Sequence, residues 1–302
     1  MKVRDDLDLY KLEVFYWVAE LGSFSRAADH LSLRQPTVSA HIQELETKLG
    51  SKVLNRVGRE VVPTPVGRVL FERAKALLAF KRETLSVLSQ AQGKIRGELL
   101  LGGSNIPGEY ILPAKIGAFI EKYPEVKPIL RIGDSTEIAQ AVLDGDVELG
   151  FIGFMGKDRR LSFQRIWKDE MVLTVPRGHP LTRLKTIELE SLRSLAFISR
   201  EDGSGTLRSF RKLLAKKRQH PERLLNVVME LGSTEAIKQA LIAGLGVSIL
   251  SRTSIEREVK DGLLNVVSIR GLKLERDFYQ VFHRQRSLSP VSHAFIQFLK
   301  QP

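Results

Sequence analysis

Short polar side chains at the starts of helical segments carry the chemistry this sequence offers. Gln35, Thr37, Ser39 and His41 fall opposite an apolar stripe, Val38, Ile42, Leu45 and Leu49, whose members recur at helical intervals. Amide, hydroxyl and imidazole groups near a helix N-terminus suit hydrogen bonding to base edges in a DNA major groove. A second set lies in two glycine-rich stretches, Gly102-Gly103-Ser104-Asn105-Ile106-Pro107-Gly108 and Asp202-Gly203-Ser204-Gly205-Thr206. Each follows a strand-like run and precedes a helical one. Unpaired backbone N–H groups and hydroxyls at a helix N-terminus attract anions, and glycines let a ligand approach the backbone. Ser104, Asn105, Ser204 and Thr206 would donate from side chains, Gly203 and Gly205 from the backbone, and Ser135, opening the helix after KPILRIG, would add another hydroxyl. The same residue types also make ordinary caps and turns, and that reading stays open here.

Catalytic chemistry finds less footing. The 302-residue chain has no cysteine, which excludes disulfides, thiolate metal sites and a cysteine nucleophile. Its six histidines, His30, His41, His179, His220, His283 and His293, show no metal-ligand spacing. No dinucleotide fingerprint, phosphate-binding loop, Ser/His/Asp set or paired carboxylates stand out. Gly178-His179-Pro180 reads as a turn, and Trp17 and Trp167 as core or interface residues. An enzyme carrying an attached helix-turn-helix remains a rival from another class, as does an architectural protein that needs no ligand.

The net charge of +12 favours anionic partners. Yet residues 1–91 hold 14 Lys and Arg against 11 Asp and Glu, leaving 33 against 24 for the remainder. Charge alone therefore does not locate a nucleic-acid site. The run Arg208, Arg211, Lys212, Lys216, Lys217, Arg218 and Arg223 reads as a solvated helix face. No apolar run approaches the roughly 20 residues needed to span a bilayer, and the N-terminus opens on charged residues, so a cytoplasmic protein is expected.

Positioning the first polar set requires a small helical domain. A first helix, capped by Asp6 or Asp8 and ending near Leu21, would bury Leu12, Phe15, Tyr16 and Ala19. Phe24, Ala27, Ala28 and Leu31 mark a second helix whose alanines allow a close crossing, with Leu33-Arg34 as the turn. The third starts at Gln35-Pro36 and stops at Gly50. Lys52, Arg56 and Arg59 around Gly58, with Val53, Leu54, Val61 and Val62, predict a basic two-stranded wing.

Residues 9–67 resemble the N-terminal domain of LysR-type transcriptional regulators. The resemblance rests on Phe15, Val18, Ala19 and Glu20, then G-S-F-S-x-A-A-x-x-L-x-x-x-Q-P-x-V-S from Gly22 to Ser39, and on Ile42, Leu45, Glu46, Leu49, Gly50, Arg56, Thr64 and Gly67. Departures are Ala40, where many members carry Arg or Lys, Val53-Leu54 in place of Leu-Phe, and Pro65. The DNA-binding set it implies is Ser25, Arg34, Gln35, Pro36, Thr37, Ser39, His41, Lys52, Arg56, Arg59 and Thr64.

Thr64 and Pro65 open a long breaker-free stretch reaching Gln92, about 40 Å of helix at 1.5 Å per residue. Val66, Leu70, Ala74, Leu77, Thr84, Leu88 and Ala91 keep a coiled-coil-like spacing, interrupted at Lys81, which predicts pairing with a second copy. Packing of this helix on its own domain is the alternative. Gly93 to Gly97 reads as a hinge. Beyond it, LLLGG, KPILRIG, VELGFIG, EMVLTVP, SLAFIS, NVVMEL, GVSIL and DFYQVFH are strand-like, with helical periods at 111–122, 135–144 and 233–244.

The expected architecture is an α+β multidomain chain: a winged helix-turn-helix over 1–67, a linker helix over 64–92, a hinge over 93–97 and a two-lobed α/β domain over 98–302. One lobe would take 97–166 and 268–302, the other 167–267. That domain resembles the family's effector-binding domain, similar in fold to periplasmic binding proteins, with Gly178-His179-Pro180 and Leu245-Gly246-Val247 at matching positions. SNIPGEYILP with REDGSGT resembles a subgroup linked to sulfur and selenium metabolism that responds to inorganic oxyanions such as sulfite, although Leu207 stands where that subgroup often has Arg. The resemblance implies no cofactor beyond a small anionic co-inducer. It implies promoter DNA, further copies of the chain as dimer or tetramer, and RNA polymerase as partners. A carboxylate effector remains the alternative, and activation against repression stays undecided.

Overall fold

The computed structural model describes residues 7–57, 60–91 and 95–301. The chain divides into two compact units, Met1–Leu88 and Ser89–Pro302. Each is built around its own apolar core.

In the first unit, α1 (Leu9–Leu21) starts where the Asp8 carboxylate accepts from the Tyr10 N–H at 2.8 Å. Asp6 lies outside the described residues. α2 (Phe24–Leu31) is capped by Ser23, and α3 (Gln35–Leu49) places Pro36 in its first turn and ends at Gly50 in the left-handed region. β1 (Leu54–Val57) and β2 (Glu60–Pro63) pair antiparallel as a wing. α4 (Pro65–Ala91) follows. Leu12, Val14, Phe15 and Val18 of α1 pack with Ala27, Ala28, Val38, Ile42 and Leu45, and with Val53 and Val61 of the wing region. Tyr16 and Ala19 sit at the edge of this core. Gly67 lies so close to the Val53 carbonyl that a β-carbon there would collide with it.

The stripe expected along α4 divides in two. Leu70 and Ala74 pack into the core of this same unit, and Lys81 reaches back to Glu13 of α1 at 3.0 Å. Val66, Val69, Leu77, Phe80 and Leu88 stay exposed. The side chain of Ala91 lies outside the described residues. Both expected packings of this helix thus have residues to serve them: one face joins its own domain and another is left bare.

The second unit opens with β3 (Gly97–Ser104), a π-helical turn (Pro107–Ile111), α5 (Leu112–Lys122), β4 (Val126–Gly133), α6 (Ser135–Asp144) and β5 (Leu149–Ile152). β6 (Leu161–Pro176) leads through a short β7 (Thr186–Ile187) to β8 (Ala196–Arg200), α7 (Gly205–Lys216), α8 (Pro221–Leu224) and β9 (Asn226–Leu231). Then come α9 (Thr234–Ile242), β10 (Ser248–Ser251), α10 (Arg252–Lys260), β11 (Leu264–Ile269), β12 (Glu275–His283) and α11 (Pro290–Leu299). The main sheet runs β4-β3-β5-β12-β6-β11-β7, with β10 also on β6, and β8 and β9 form a parallel pair.

β6 is the shared strand. From Leu161 to Glu170 it pairs with β12, and from Met171 to Pro176 with β10 and β11. Leu99, Leu101, Phe119, Phe151 and Phe295 form a core beside the first half, and Met171, Leu173, Phe197, Phe210 and Ile249 one beside the second. The spacing read only EMVLTVP as this strand, because the half before it alternates with charged side chains. Val267, Ile269 and Leu274 all pack in the core beside the second half of β6, although the second lobe was expected to end at 267. Among the described residues, no helix is long and apolar enough to cross a membrane.

Candidate functional site

Residues of α3 meet solvent where the sequence places its readers. Arg34 precedes the helix without capping it, and Arg34, Gln35, Pro36 and Thr37 are exposed, as is Ser25 on α2. Gln35 Nε2 donates to Ser39 Oγ at 3.0 Å, one turn on, so the two polar groups hold each other in register. His41 is half-buried, its ring edge-on to Tyr10 at 5.5 Å, and its Nδ1 is buried without a partner.

The wing is fastened to α3 by a buried carboxylate. Glu46 accepts from the Val53 N–H at 2.9 Å and the Leu54 N–H at 3.4 Å, while Lys52 reaches its other oxygen at 2.6 Å. Arg56 is exposed, its guanidinium 5.2 Å from the centre of the Phe24 ring. Thr64 does not belong to this surface: it is buried, donates to the Lys52 carbonyl at 2.8 Å and accepts from the Gly67 N–H at 3.0 Å. One bond ties the segment before the wing and the other serves the start of α4, which corrects the expectation of a DNA contact. Arg59 lies outside the described residues.

A second site forms where the ends of β3, β5 and β8 meet the N-termini of α6 and α7. Ser104, Asn105, Ser135, Ser204, Gly205 and Thr206 line one cleft together with Ile106, Gly153, Arg200, Arg276 and Phe278. The free space is about 10 Å³, room for the centre of one water-sized body. Six of the seven expected effector residues thus converge here. Gly203 does not line the cleft; a β-carbon on it would strike the Asp134 carboxylate, so this glycine lets the loop before α7 lie against the cap of α6. Ser135 Oγ accepts from the Gly153 N–H at 3.3 Å, and Ser204 caps α7.

Two buried arginines were not legible as site residues. Arg200, whose side chain is 3 % exposed, donates to both oxygens of Glu201 at 2.7 Å, to Thr234 at 2.9 Å and to the Asn105 carbonyl oxygen at 3.2 Å. Arg276, 4 % exposed, donates from Nε to Asp169 at 2.7 Å and from Nη1 to Thr206 Oγ1 at 2.9 Å. Its Nη2 has no partner. Burial pulls this guanidinium below its ordinary pKa and Asp169 beside it opposes that, but arginine stays charged regardless. A signal for Arg200 was its place at a strand end, directly before the glycine-rich stretch. One for Arg276 was its parity, since Arg276, Phe278 and Gln280 share the buried face of β12.

Contacts across the mouth tie the lobes. Arg208 donates to Thr136 Oγ1 at 3.1 Å and stacks over Phe154 at 4.4 Å, and Ser209 Oγ donates to the Gly153 carbonyl at 3.2 Å. On another side Lys238 lies 5.5 Å from the centre of the Tyr110 ring. Burial alone would lower this lysine's pKa, but its hydrogen bonds to Glu235 and Glu258 outweigh that and hold it raised.

Residues 9–68 match the family described as bacterial regulatory helix-turn-helix protein, lysR family, and residues 92–301 match the LysR substrate binding domain. The chain belongs to the LysR family of transcriptional regulators. This LysR-type regulator is 32% identical to the transcriptional activator CmpR of Synechocystis sp., covering 96% of the chain and 94% of that protein. It is 34% identical to a probable RuBisCO transcriptional regulator of Nostoc sp. (96% and 86% covered) and 36% identical to the transcriptional regulator YeiE of Escherichia coli (97% of each). Full-length CbnR in complex with its target DNA shares the fold, with a TM-score of 0.70, 21% identity and coverage of 97% and 99%. The CcmR regulatory domain of Synechocystis, in complex with 2-PG, aligns with a TM-score of 0.62 and 28% identity over 68% of this chain and 96% of that one. These relatives are regulators, not enzymes, and so is this LysR-type protein. The Nostoc relative is named for RuBisCO regulation, whereas none of these names points to sulfur or selenium.

Proposed function

We propose that this regulator reads operator DNA with Gln35, Thr37 and Ser39 of α3, steadies itself on phosphates through Arg56, and is switched by a small anion in the cleft of its second unit. The observation that carries the effector assignment is the convergence of hydroxyls from both lobes on one cleft that buried Arg276, with its unpartnered Nη2, also lines. A buried cationic donor without a protein partner is costly, so a ligand that supplies an acceptor there is stabilised.

A compact inorganic oxyanion, with those of sulfur and selenium among the candidates, matches the hydroxyl-rich lining. A short carboxylate is the second reading. It is favoured by the relatives named for RuBisCO regulation and by CcmR with 2-PG. The exposed apolar residues of α4 suit pairing with a second copy, which fits an operator of two half-sites. An anion that binds one arrangement of the paired chains more tightly than another shifts the balance between them.

Thermal unfolding of the full chain against sulfite, sulfate, thiosulfate, selenite, phosphate and small carboxylates tests the effector assignment. A ligand held only by the folded state raises the melting temperature. The expected result is a shift with at least one compact anion that Ser104→Ala and Thr206→Ala both diminish. Absence of any shift across the panel overturns the assignment.

A further inference from the structure

The charges around the cleft constrain the charge of what enters it. Arg200 and Arg276 are the only charged residues in its lining, and each is already matched to a carboxylate, Arg200 to Glu201 and Arg276 to Asp169. Within the lining and its direct ion-pair partners, two cations stand against two anions. Glu109, within electrostatic reach of Arg200, is within reach of Lys238 as well. Thr234, Asn105 and the Gly232 carbonyl take up the rest of the Arg200 fork, so Arg276 Nη2 is the one guanidinium nitrogen of the pair left without a partner.

The Arg276 fork is also fixed in place. Asp169 lies directly opposite Arg276 in the β6–β12 register and accepts a second hydrogen bond from Ser251 Oγ at 2.6 Å, while Thr206 holds Nη1. Nε and Nη1 are thereby engaged, and Nη2 is the nitrogen left without a protein partner. The desolvation cost of an ion rises with the square of its charge, and a neutral shell of donors repays a single charge far more readily than two.

We infer that the cleft selects a compact monoanion over a dianion of the same shape, with Arg276 Nη2 as the donor that determines specificity. This rests on the cleft being the effector site, as proposed above, and adds the charge class of the ligand. Hydroxyls of Ser104, Ser135 and Ser204 complete the shell without adding charge. Glu201 and Asp169 therefore act as specificity residues without touching the ligand, because they set the charge the cleft tolerates.

Perchlorate and sulfate are tetrahedral and similar in size but differ by one charge, which makes them suitable probes. Titration calorimetry on the full chain, in a buffer whose own anion is too large for the cleft, is expected to give perchlorate at least tenfold tighter binding than sulfate. Glu201→Gln keeps an acceptor for Arg200 but removes one negative charge, and should narrow or invert that ratio by about tenfold. Arg276→Lys keeps the charge beside Asp169 but removes the fork, and should abolish binding of both probes while the melting temperature of the unliganded chain reports that it still folds. Failure of every anion to bind, here and in the wider panel, sinks the effector assignment itself. Binding of sulfate as tightly as perchlorate, lost in Arg276→Lys, leaves that assignment intact and overturns the monoanion inference. A perchlorate preference indifferent to Arg276→Lys overturns the role given to Arg276.

Discussion

Glu46 shows how one side chain decides whether a wing belongs to a helix. Glu46 lies on the helix that carries the readers, and its buried carboxylate accepts from two backbone N–H groups at the start of the wing and from Lys52 beyond the helix. Removing it leaves the Val53 and Leu54 amides unpaired, each costing about 1–3 kcal/mol where burial is complete. Glu46→Ala is therefore expected to lower the stability of the first unit by about 2 kcal/mol, read by urea unfolding through Trp17 fluorescence in a Trp167→Phe background; an unchanged midpoint refutes the role. The readers and the phosphate contact should part company in a different measurement. Gln35→Ala is expected to relax preference at one base position by about 1–3 kcal/mol. Arg56→Ala should weaken binding to all sequences alike and reduce the salt slope by about one. Fluorescence anisotropy on matched and mismatched duplexes at several salt concentrations separates the two.

Elements differed in how far the sequence revealed them, and the reason is range. α2, α3 and the loops before α5 and α7 follow from residues within a few positions of one another: an alanine pair, a proline in a first turn, glycines beside hydroxyls. Arg276 was hidden because Asp169 and Thr206, which hold it, lie 107 and 70 residues away. Gly203 looked like a ligand residue for the same reason, since only the fold brings Asp134 against it. Lys81 was likewise read as a break in a stripe until Glu13, 68 residues earlier, supplied its partner. A helix face that packs on its own domain and one that waits for a partner share the same periodicity, so spacing cannot separate them. The exposed face of α4 carries its own test: Leu77→Asp with Phe80→Asp should raise the dissociation constant of the dimer by at least tenfold in analytical ultracentrifugation while leaving the helix content of the chain unchanged. A dimer of undiminished stability removes α4 from the interface.

At the scale of the molecule, the strand shared by both lobes connects the cleft with the sheet. β6 carries Asp169 just where its pairing passes from β12 to β10 and β11, and Asp169 holds Arg276, which lines the cleft. An anion that engages Arg276 therefore acts on the strand where the lobes join, and Ser251 ties the same carboxylate to the end of β10. Coupling between an effector and DNA is reciprocal, and typical values change affinity by about 5- to 150-fold. The measurement that tests this account most directly is the affinity of the full chain for an operator selected by this protein from random sequence, with and without a saturating compact anion, in the wild type and in Arg276→Lys. An anion-dependent change within that range is expected for the wild type and none for the variant. Anion binding at the cleft that leaves operator affinity and footprint untouched in the wild type would contradict it.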